Sequence, residues 1–178
     1  MKILPEESLL VVVDVQEKLF THMADKERLL AKLITLVEGM KALDVTVLAA
    51  RQYPQGLGDV VEPLKPYFTG CYDKMTFSCC GEKNFLSALE ASGRKRIIVA
   101  GIEAHVCVLQ TVLDLKQLGY TPVLVADAIS SRSEFDAAMA LRRAEAEGAL
   151  LTTVEAILFE LCRQAGSEVF RTISRLVK

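Results

Sequence analysis

Ser8-Leu9-Leu10-Val11-Val12-Val13-Asp14 is an aliphatic, largely β-branched run that ends on a carboxylate. An unbroken apolar run of this length is typical of a strand covered on both faces, because a half-exposed strand alternates apolar and polar side chains. Strands of this kind belong mostly to parallel sheets in α/β proteins. The run therefore predicts an α/β fold with Asp14 at the carboxyl end of a buried strand.

The remaining sequence alternates strand and helix patterns. Strands are predicted at 45–50, 72–77, 96–100, 122–126 and 149–152, and helices at 26–43, 84–91, 103–118 and 134–147. Residues 52–58 are rich in Pro and Gly and predict a loop, Gly101 is expected to close its strand, and the helical end of the chain is divided by Gly166. Alternating elements with short connections imply right-handed crossovers and a mainly parallel sheet. Without repeats or linkers, we predict one domain spanning residues 1–178.

The composition is that of a globular protein and limits the classes of partner to be expected. Of 178 residues, 51% are hydrophobic and 25% charged, and the net charge is −2. This balance gives no reason to expect nucleic acid or an anionic membrane surface, and no apolar run approaches a membrane span. The five cysteines have no Cys-x-x-Cys spacing, and the short N-terminal apolar run does not resemble an export signal. Together these features predict reduced thiols and a cytoplasmic protein.

Two residues stand where an open parallel sheet binds ligands, beyond the carboxyl ends of strands. Asp14 follows five buried aliphatic residues, a costly place for an unused carboxylate, although a turn-capping Asp fits the spacing equally well. Cys107 lies six residues after Gly101, near the first turn of a predicted helix. Unpaired N–H groups and the helix dipole there favour a thiolate, whereas the alternative is a small buried hydrophobic residue.

Other chemistry is excluded or has no support in the sequence. Asp14-Val15-Gln16-Glu17-Lys18 contains no glycine, so neither a dinucleotide-binding turn nor a P-loop follows the first strand. The other cysteines have no comparable setting and are interpreted as structural: Cys71, Cys79, Cys80 and Cys162.

Three separated segments carry a family resemblance: Val13–Gln16, Lys74–Ser78 and Gly101–Val108. Together they resemble the isochorismatase-like (cysteine) hydrolase superfamily, and residues 52–58 resemble its YcaC-like and isochorismatase-domain-containing branch. The similarity extends from about residue 8 to residue 155. It implies a three-layer αβα fold, in which an open, six-stranded and mainly parallel sheet has helices on both faces.

The resemblance also implies an Asp–Lys–Cys triad of Asp14, Lys74 and Cys107. Cys107 would be the nucleophile, Asp14 the base for its proton, and Lys74 the cation that holds the thiolate. Backbone N–H groups of Glu103 and Cys107 would form the oxyanion hole, beside a cis peptide between Ile102 and Glu103. Candidate substrate contacts, with plain core or surface positions as the alternative, are Gln16, Phe20, Tyr53, Phe77 and His105.

No metal and no cofactor are expected. Nicotinamidases of the superfamily place His and Asp ligands in the loop after the second strand, and residues 52–58 contain neither. Only two histidines occur in the sequence, His22 and His105.

The retained Cys107 favours acyl chemistry. We predict a hydrolase of a small carbonyl substrate, with an amide C–N bond favoured, acting through a thioester on Cys107. The alternatives are isochorismatase-type vinyl-ether hydrolysis and a non-catalytic scaffold or interaction protein with the same fold. A homo-oligomer is also expected, because the C-terminal segment 169–177 is apolar, although this segment is equally compatible with a helix packed on the sheet.

Overall fold

The computed structural model describes residues 2–178. Its strands are β1 (Ser8–Val13), β2 (Thr46–Gln52), β3 (Tyr72–Lys74), β4 (Arg96–Ile102), β5 (Thr121–Ser130) and β6 (Leu150–Thr152). Its helices are α1 (Glu17–Phe20), α2 (Lys26–Ala42), α3 (Pro54–Leu57), α4 (Lys83–Ser92), α5 (Leu109–Gln117), α6 (Glu134–Ala146), α7 (Val154–Cys162) and α8 (Glu168–Leu176). A π-helical turn, Ala104–Val108, precedes α5, and short 3₁₀ helices occupy Pro5–Glu7, Glu62–Tyr67 and Cys79–Gly81.

The six strands form one sheet in the order β3-β2-β1-β4-β5-β6, and each neighbouring pair is parallel. The chain builds outward from β1 to β3 on one side and then returns to build β4 to β6 on the other. The order therefore reverses between β1 and β4, which is the position where open sheets of this type bind ligands. The predicted α/β fold is confirmed.

Two hydrophobic cores cover the two faces of the sheet, and β1 contributes to both. Leu10 and Val12 lie in the core formed with α2, α7 and α8. Leu9, Val11 and Val13 lie in the core formed with α4, α5 and α6. This alternation confirms the three-layer arrangement and explains why the first strand contains no exposed residue.

The C-terminal segment belongs to the first of these cores. Ile173 on α8 is fully buried, and Val169, Leu176 and Val177 pack against the same core. Of the two predicted roles for residues 169–177, the structure therefore shows the packed helix.

Gly101 lets β1 and β4 approach closely just before the chain reaches Cys107. It pairs with Val13 and has a φ of 116°. A Cβ at this position would lie 2.2 Å from the carbonyl oxygen of Val13, so only glycine fits without movement of the backbone. Gly101 lies inside β4, which continues to Ile102, and the prediction that it closes the strand is wrong.

Two boundaries after β2 also differ from the prediction. Residues 54–57 form α3 instead of loop, because Pro54 occupies the first helical position, where its fixed φ is favourable. The third strand ends at Lys74 and not at residue 77, because the next carbonyls turn back towards the Lys74 ammonium group. Among residues 2–178, no helix has both the length and the apolar character required to cross a bilayer.

Candidate active site

Asp14 and Lys74 meet at the carboxyl edge of the sheet. Asp14 follows β1 with a φ of 51°, a left-handed conformation that Asp tolerates better than most residues. Its Oδ2 lies 2.7 Å from Nζ of Lys74, and both side chains are completely buried. The contact is a short ion pair from which water is excluded. Burial raises the pKa of Asp14 above its usual value, and the positive charge of Lys74 opposes that rise.

Lys74 is enclosed by oxygen atoms. Its Nζ donates to Oε1 of Gln52 at 2.5 Å, to the carbonyl of Phe77 at 2.8 Å and, at longer range, to the carbonyl of Thr76 at 3.2 Å. An ammonium group needs such partners when it is buried, because its hydration is lost. The short loop after β3 therefore forms a cradle for the cation.

Cys107 lies on the π-helical turn between β4 and α5 and is only 5% exposed. Its Sγ is 4.0 Å from Oε1 of Gln52. The pKa of the Cys107 thiol is raised to about 12, mainly by burial and also by the charge of Asp14, while the charge of Lys74 acts in the opposite direction. The expectation of a thiolate stabilised by the helix dipole is therefore wrong for the resting protein. Cys107 is a neutral thiol, and Asp14 is the carboxylate whose charge opposes its ionisation.

The sequence profile of the isochorismatase domain matches residues 8–156 of this chain. The chain belongs to the isochorismatase family. It is 35% identical to the secreted isochorismatase effector Isc1 of Phytophthora sojae over 185 residues, which cover 99% of this chain and 87% of that protein. It is also 35% identical to mouse isochorismatase domain-containing protein 2A over 182 residues, which cover 99% and 85% of the two chains.

Solved structures of similar fold agree with this assignment. The structure described as MAR1 ribonuclease from Caenorhabditis elegans has a TM-score of 0.93 and 34% identity, and the match covers 99% of this chain and 92% of that one. The YcaC gene product of Escherichia coli, described as an octameric hydrolase of unknown specificity, also has a TM-score of 0.93, with 22% identity and coverage of 99% and 90%. The isochorismatase-like fold inferred from three short motifs is thus shown, and family membership supports a hydrolase of the cysteine-hydrolase type.

Gln52 is a residue of this isochorismatase-family site that the sequence analysis missed. It is the last residue of β2 and contacts both Lys74 and Cys107 through its side-chain oxygen. Its Nε2 donates to the carbonyl of Met75 at 2.9 Å. The one available signal was its position at a strand end, which it shares with Asp14 and Lys74, but it stood inside a stretch interpreted as loop.

The side chain of Gln16 is enclosed by the protein. It is fully buried, and its amide is engaged by backbone groups of Gln52 and Gly58 at 2.7 to 2.9 Å. Both hydrogens of its Nε2 are in use and its Oε1 accepts one hydrogen bond, and a role for Gln16 in binding substrate stays a prediction. It belongs to the framework that supports Gln52.

The predicted aromatic contacts lie in different places. Tyr53 and Phe77 are about half exposed. The Tyr53 N–H donates to the carbonyl of Lys74, and the Phe77 carbonyl accepts from Nζ of Lys74. Phe20 is half-buried and packs against the core formed with α2, α7 and α8. Tyr53 and Phe77 are therefore tied to the site through their backbones, and a role for any of the three in binding substrate stays a prediction.

Glu103 and His105 form a polar cluster beside Cys107. The Glu103 carboxylate accepts from Nε of Arg132 at 3.1 Å, and Nδ1 of His105 lies 2.9 Å from Oγ of Ser131. The Glu103 side chain is thereby turned towards Arg132, while the Ile102–Glu103 peptide is cis, as the resemblance implied. In the described chain, no group of three or more His, Cys, Asp or Glu side chains could hold a metal ion.

Proposed function

We propose that this protein hydrolyses a small amide through a thioester on Cys107. The observation that carries the proposal is the buried arrangement of Asp14, Lys74 and Cys107, in which one cation faces two groups that can each be anionic. A resting thiol beside a carboxylate of raised pKa suits proton transfer at the moment of attack.

The proposed reaction uses each group in turn. Asp14 takes the Cys107 proton as sulfur bonds to the substrate carbonyl carbon, and backbone N–H groups of Glu103 and Cys107 hold the resulting oxyanion. The C–N bond then breaks, and Asp14 returns the proton to the leaving amine. Water attacks the thioester with Asp14 as base, which releases the carboxylic acid and restores the thiol. Lys74 balances the negative charge throughout.

A panel of small amides, ureides and vinyl ethers tests this proposal, assayed with the wild-type protein and with Cys107→Ala. We expect amide hydrolysis that Cys107→Ala abolishes, together with an acyl adduct on Cys107 in the intact mass. Prolonged chelation should leave the rate unchanged, in keeping with the expectation that the reaction needs no metal or cofactor.

Other outcomes would replace the proposal. Vinyl-ether turnover that survives Cys107→Ala would indicate isochorismatase-type C–O cleavage, and no turnover of any class would favour a scaffold. A short RNA belongs in the panel, because the similar C. elegans structure is described as a ribonuclease. We expect no RNA cleavage, since the net charge is −2 and Cys107 is almost fully buried.

We infer one domain over residues 1–178, self-association of the chain and a cytoplasmic location. The E. coli YcaC protein is described as octameric, which supports self-association. The Phytophthora relative is named as a secreted effector, so localisation needs a direct measurement in the source cell.

A further inference from the structure

The backbone of Gln52, at the end of β2, forms hydrogen bonds with a side chain where a neighbouring strand would normally supply the partners. β1 pairs with β2 as far as Val13 and Ala50, and the Asp14 N–H still donates to the carbonyl of Ala50. The chain then turns away at Asp14, so β1 offers no further backbone partner to the end of β2. Buried backbone N–H and C=O groups require partners, and those of Gln52 need new ones on this side.

The Gln16 amide supplies both partners. Its Oε1 accepts from the Gln52 N–H at 2.7 Å, and its Nε2 donates to the Gln52 carbonyl at 2.9 Å. The same Nε2 donates to the Gly58 carbonyl at 2.8 Å. On its other side, Gln52 pairs with Lys74 of β3. The backbone of Gln52 is therefore fixed from both sides.

The side chain of Gln52 has one orientation that satisfies its neighbours. Nε2 faces the Met75 carbonyl and Oε1 faces Nζ of Lys74, whereas a flipped amide would place a donor against the ammonium group and an acceptor against a carbonyl. In this orientation, the oxygen also faces Sγ of Cys107 at 4.0 Å.

We propose that Gln16 and Gln52 form a buried relay, in which Gln16 is a positioning residue and Gln52 holds the Lys74 ammonium group beside the thiol of Cys107. The relay requires an uncharged oxygen at residue 52. A carboxylate there would be a further anion facing the thiol together with Asp14, with only Lys74 to balance the charge. Its role in catalysis rests on the proposed function, but its geometry does not.

The relay is tested by NMR of the Lys74 ammonium protons, whose exchange with water reports on the acceptors around Nζ. Gln16→Met and Gln52→Met each remove polar groups at nearly constant side-chain length. We expect each variant to speed this exchange by about fivefold or more, because ordered acceptors protect exchanging protons. The double variant should exchange no faster than Gln52→Met, because both residues act on Lys74 along one path.

Ser8→Ala is the matched control. Ser8 lies at the opposite end of β1, is fully buried, and loses a hydrogen bond of 2.6 Å to the carbonyl of Leu4. It should lower thermal stability without changing Lys74 exchange, which separates positioning from general destabilisation. If Gln16→Met does not fold, Gln52→Met, with its backbone still fixed by Gln16, is compared directly with Ser8→Ala.

Gln52→Glu provides a second readout, the alkylation of Cys107 by iodoacetamide at alkaline pH, followed by peptide mass spectrometry with Cys162 as internal reference. We expect alkylation slower by about tenfold, which corresponds to one unit in the pKa of the thiol. Three results would each overturn the relay. They are a Lys74 exchange rate in Gln16→Met equal to that of the wild type, additive effects on this rate in the double variant, and an unchanged rate of Cys107 alkylation in Gln52→Glu. None of these measurements uses substrate, so a failed amide assay would remove the proposed function and leave the relay intact.

Discussion

Asp14 and Cys107 compete for one positive charge. Both groups are buried, both have a raised pKa, and each responds to Lys74, which lies 2.7 Å from the Asp14 carboxylate. Two anions beside one cation would leave an unbalanced charge in a low-dielectric interior. The arrangement therefore favours a state in which one of the two groups is protonated.

The pH dependence of activity should reflect Asp14. The carboxylate acts as a base only when it is ionised, and its pKa is raised above the ordinary 3.8 because burial outweighs the attraction of Lys74. We therefore expect kcat/KM for amide hydrolysis to fall as pH is lowered, with a midpoint above that value. Asp14→Glu, which changes the position of the base, should shift the midpoint. A rate that stays flat down to pH 3.8 would contradict the role of Asp14 as the base.

Lys74→Met should strongly destabilise the fold. It leaves the Asp14 carboxylate buried without its cation, and breaking a buried pair in this way costs about 3–5 kcal/mol. The double variant Asp14→Asn/Lys74→Met should recover much of this loss, because no charge then remains. Lys65→Met is the control, since Lys65 pairs with Glu62 and Asp59 at the surface, where solvent screens the charges, and its loss should change the free energy of unfolding far less. If urea unfolding shows that Lys74→Met and Lys65→Met lower the free energy of unfolding equally, a stabilising role of the buried pair would be contradicted.

Position along the chain marked Asp14 and Cys107 as candidates, whereas only the family resemblance pointed to Lys74. Asp14 was predictable because a carboxylate rarely follows five buried aliphatic residues without use. The protonation state of Cys107 was not predictable, because it depends on how completely the folded chain buries the sulfur. Gln52 was missed because its role depends on Gln16, a partner 36 residues away in sequence.

At the scale of elements, the contact between β1 and β4 brings Asp14 and Cys107 to the same edge of the sheet. Val13 pairs with Gly101, so the residues that follow the two strands, Asp14 and the turn with Cys107, emerge side by side. The turn at Ala104–Val108 is π-helical, a feature often found at functional sites, and residue periodicity could predict only a helix there. Short elements such as α3 were similarly hidden, because Pro and Gly are as typical of loops as of a first helical turn.

Gly101→Ala should disrupt this contact. The new methyl group would lie 2.2 Å from the Val13 carbonyl oxygen, so β1 and β4 must separate. We expect the free energy of unfolding to fall by about 4 kcal/mol or more. Gly93→Ala is the control, because Gly93 also has a positive φ, of 66°, but has no atom within 4 Å of the new Cβ. It should lose only about 1–2 kcal/mol for the left-handed backbone. Urea unfolding that gives the same loss for both variants would show that close approach at Gly101 is unimportant.

At the scale of the whole molecule, the surface retains apolar side chains that neither core uses. On α6, Phe135 is 71% exposed and Met139, one turn later, is 38% exposed. Residues four apart lie on the same side of a helix, so the two form one apolar patch. Single exposed apolar residues are ordinary, but an adjacent exposed Phe and Met are typical of a protein contact surface.

We predict that the chain self-associates through this patch. We expect the purified protein to sediment as an oligomer, and Phe135→Ser to weaken its assembly by more than about tenfold, because burying a Phe side chain contributes about 1.5–3 kcal/mol and each symmetric contact contains it twice. Leu118→Ser is the control, since Leu118 is also exposed, at 53%, but follows α5 away from the patch. It should leave the assembly unchanged. A wild-type protein that sediments as a monomer, or equal weakening by both variants, would exclude α6 as the interface.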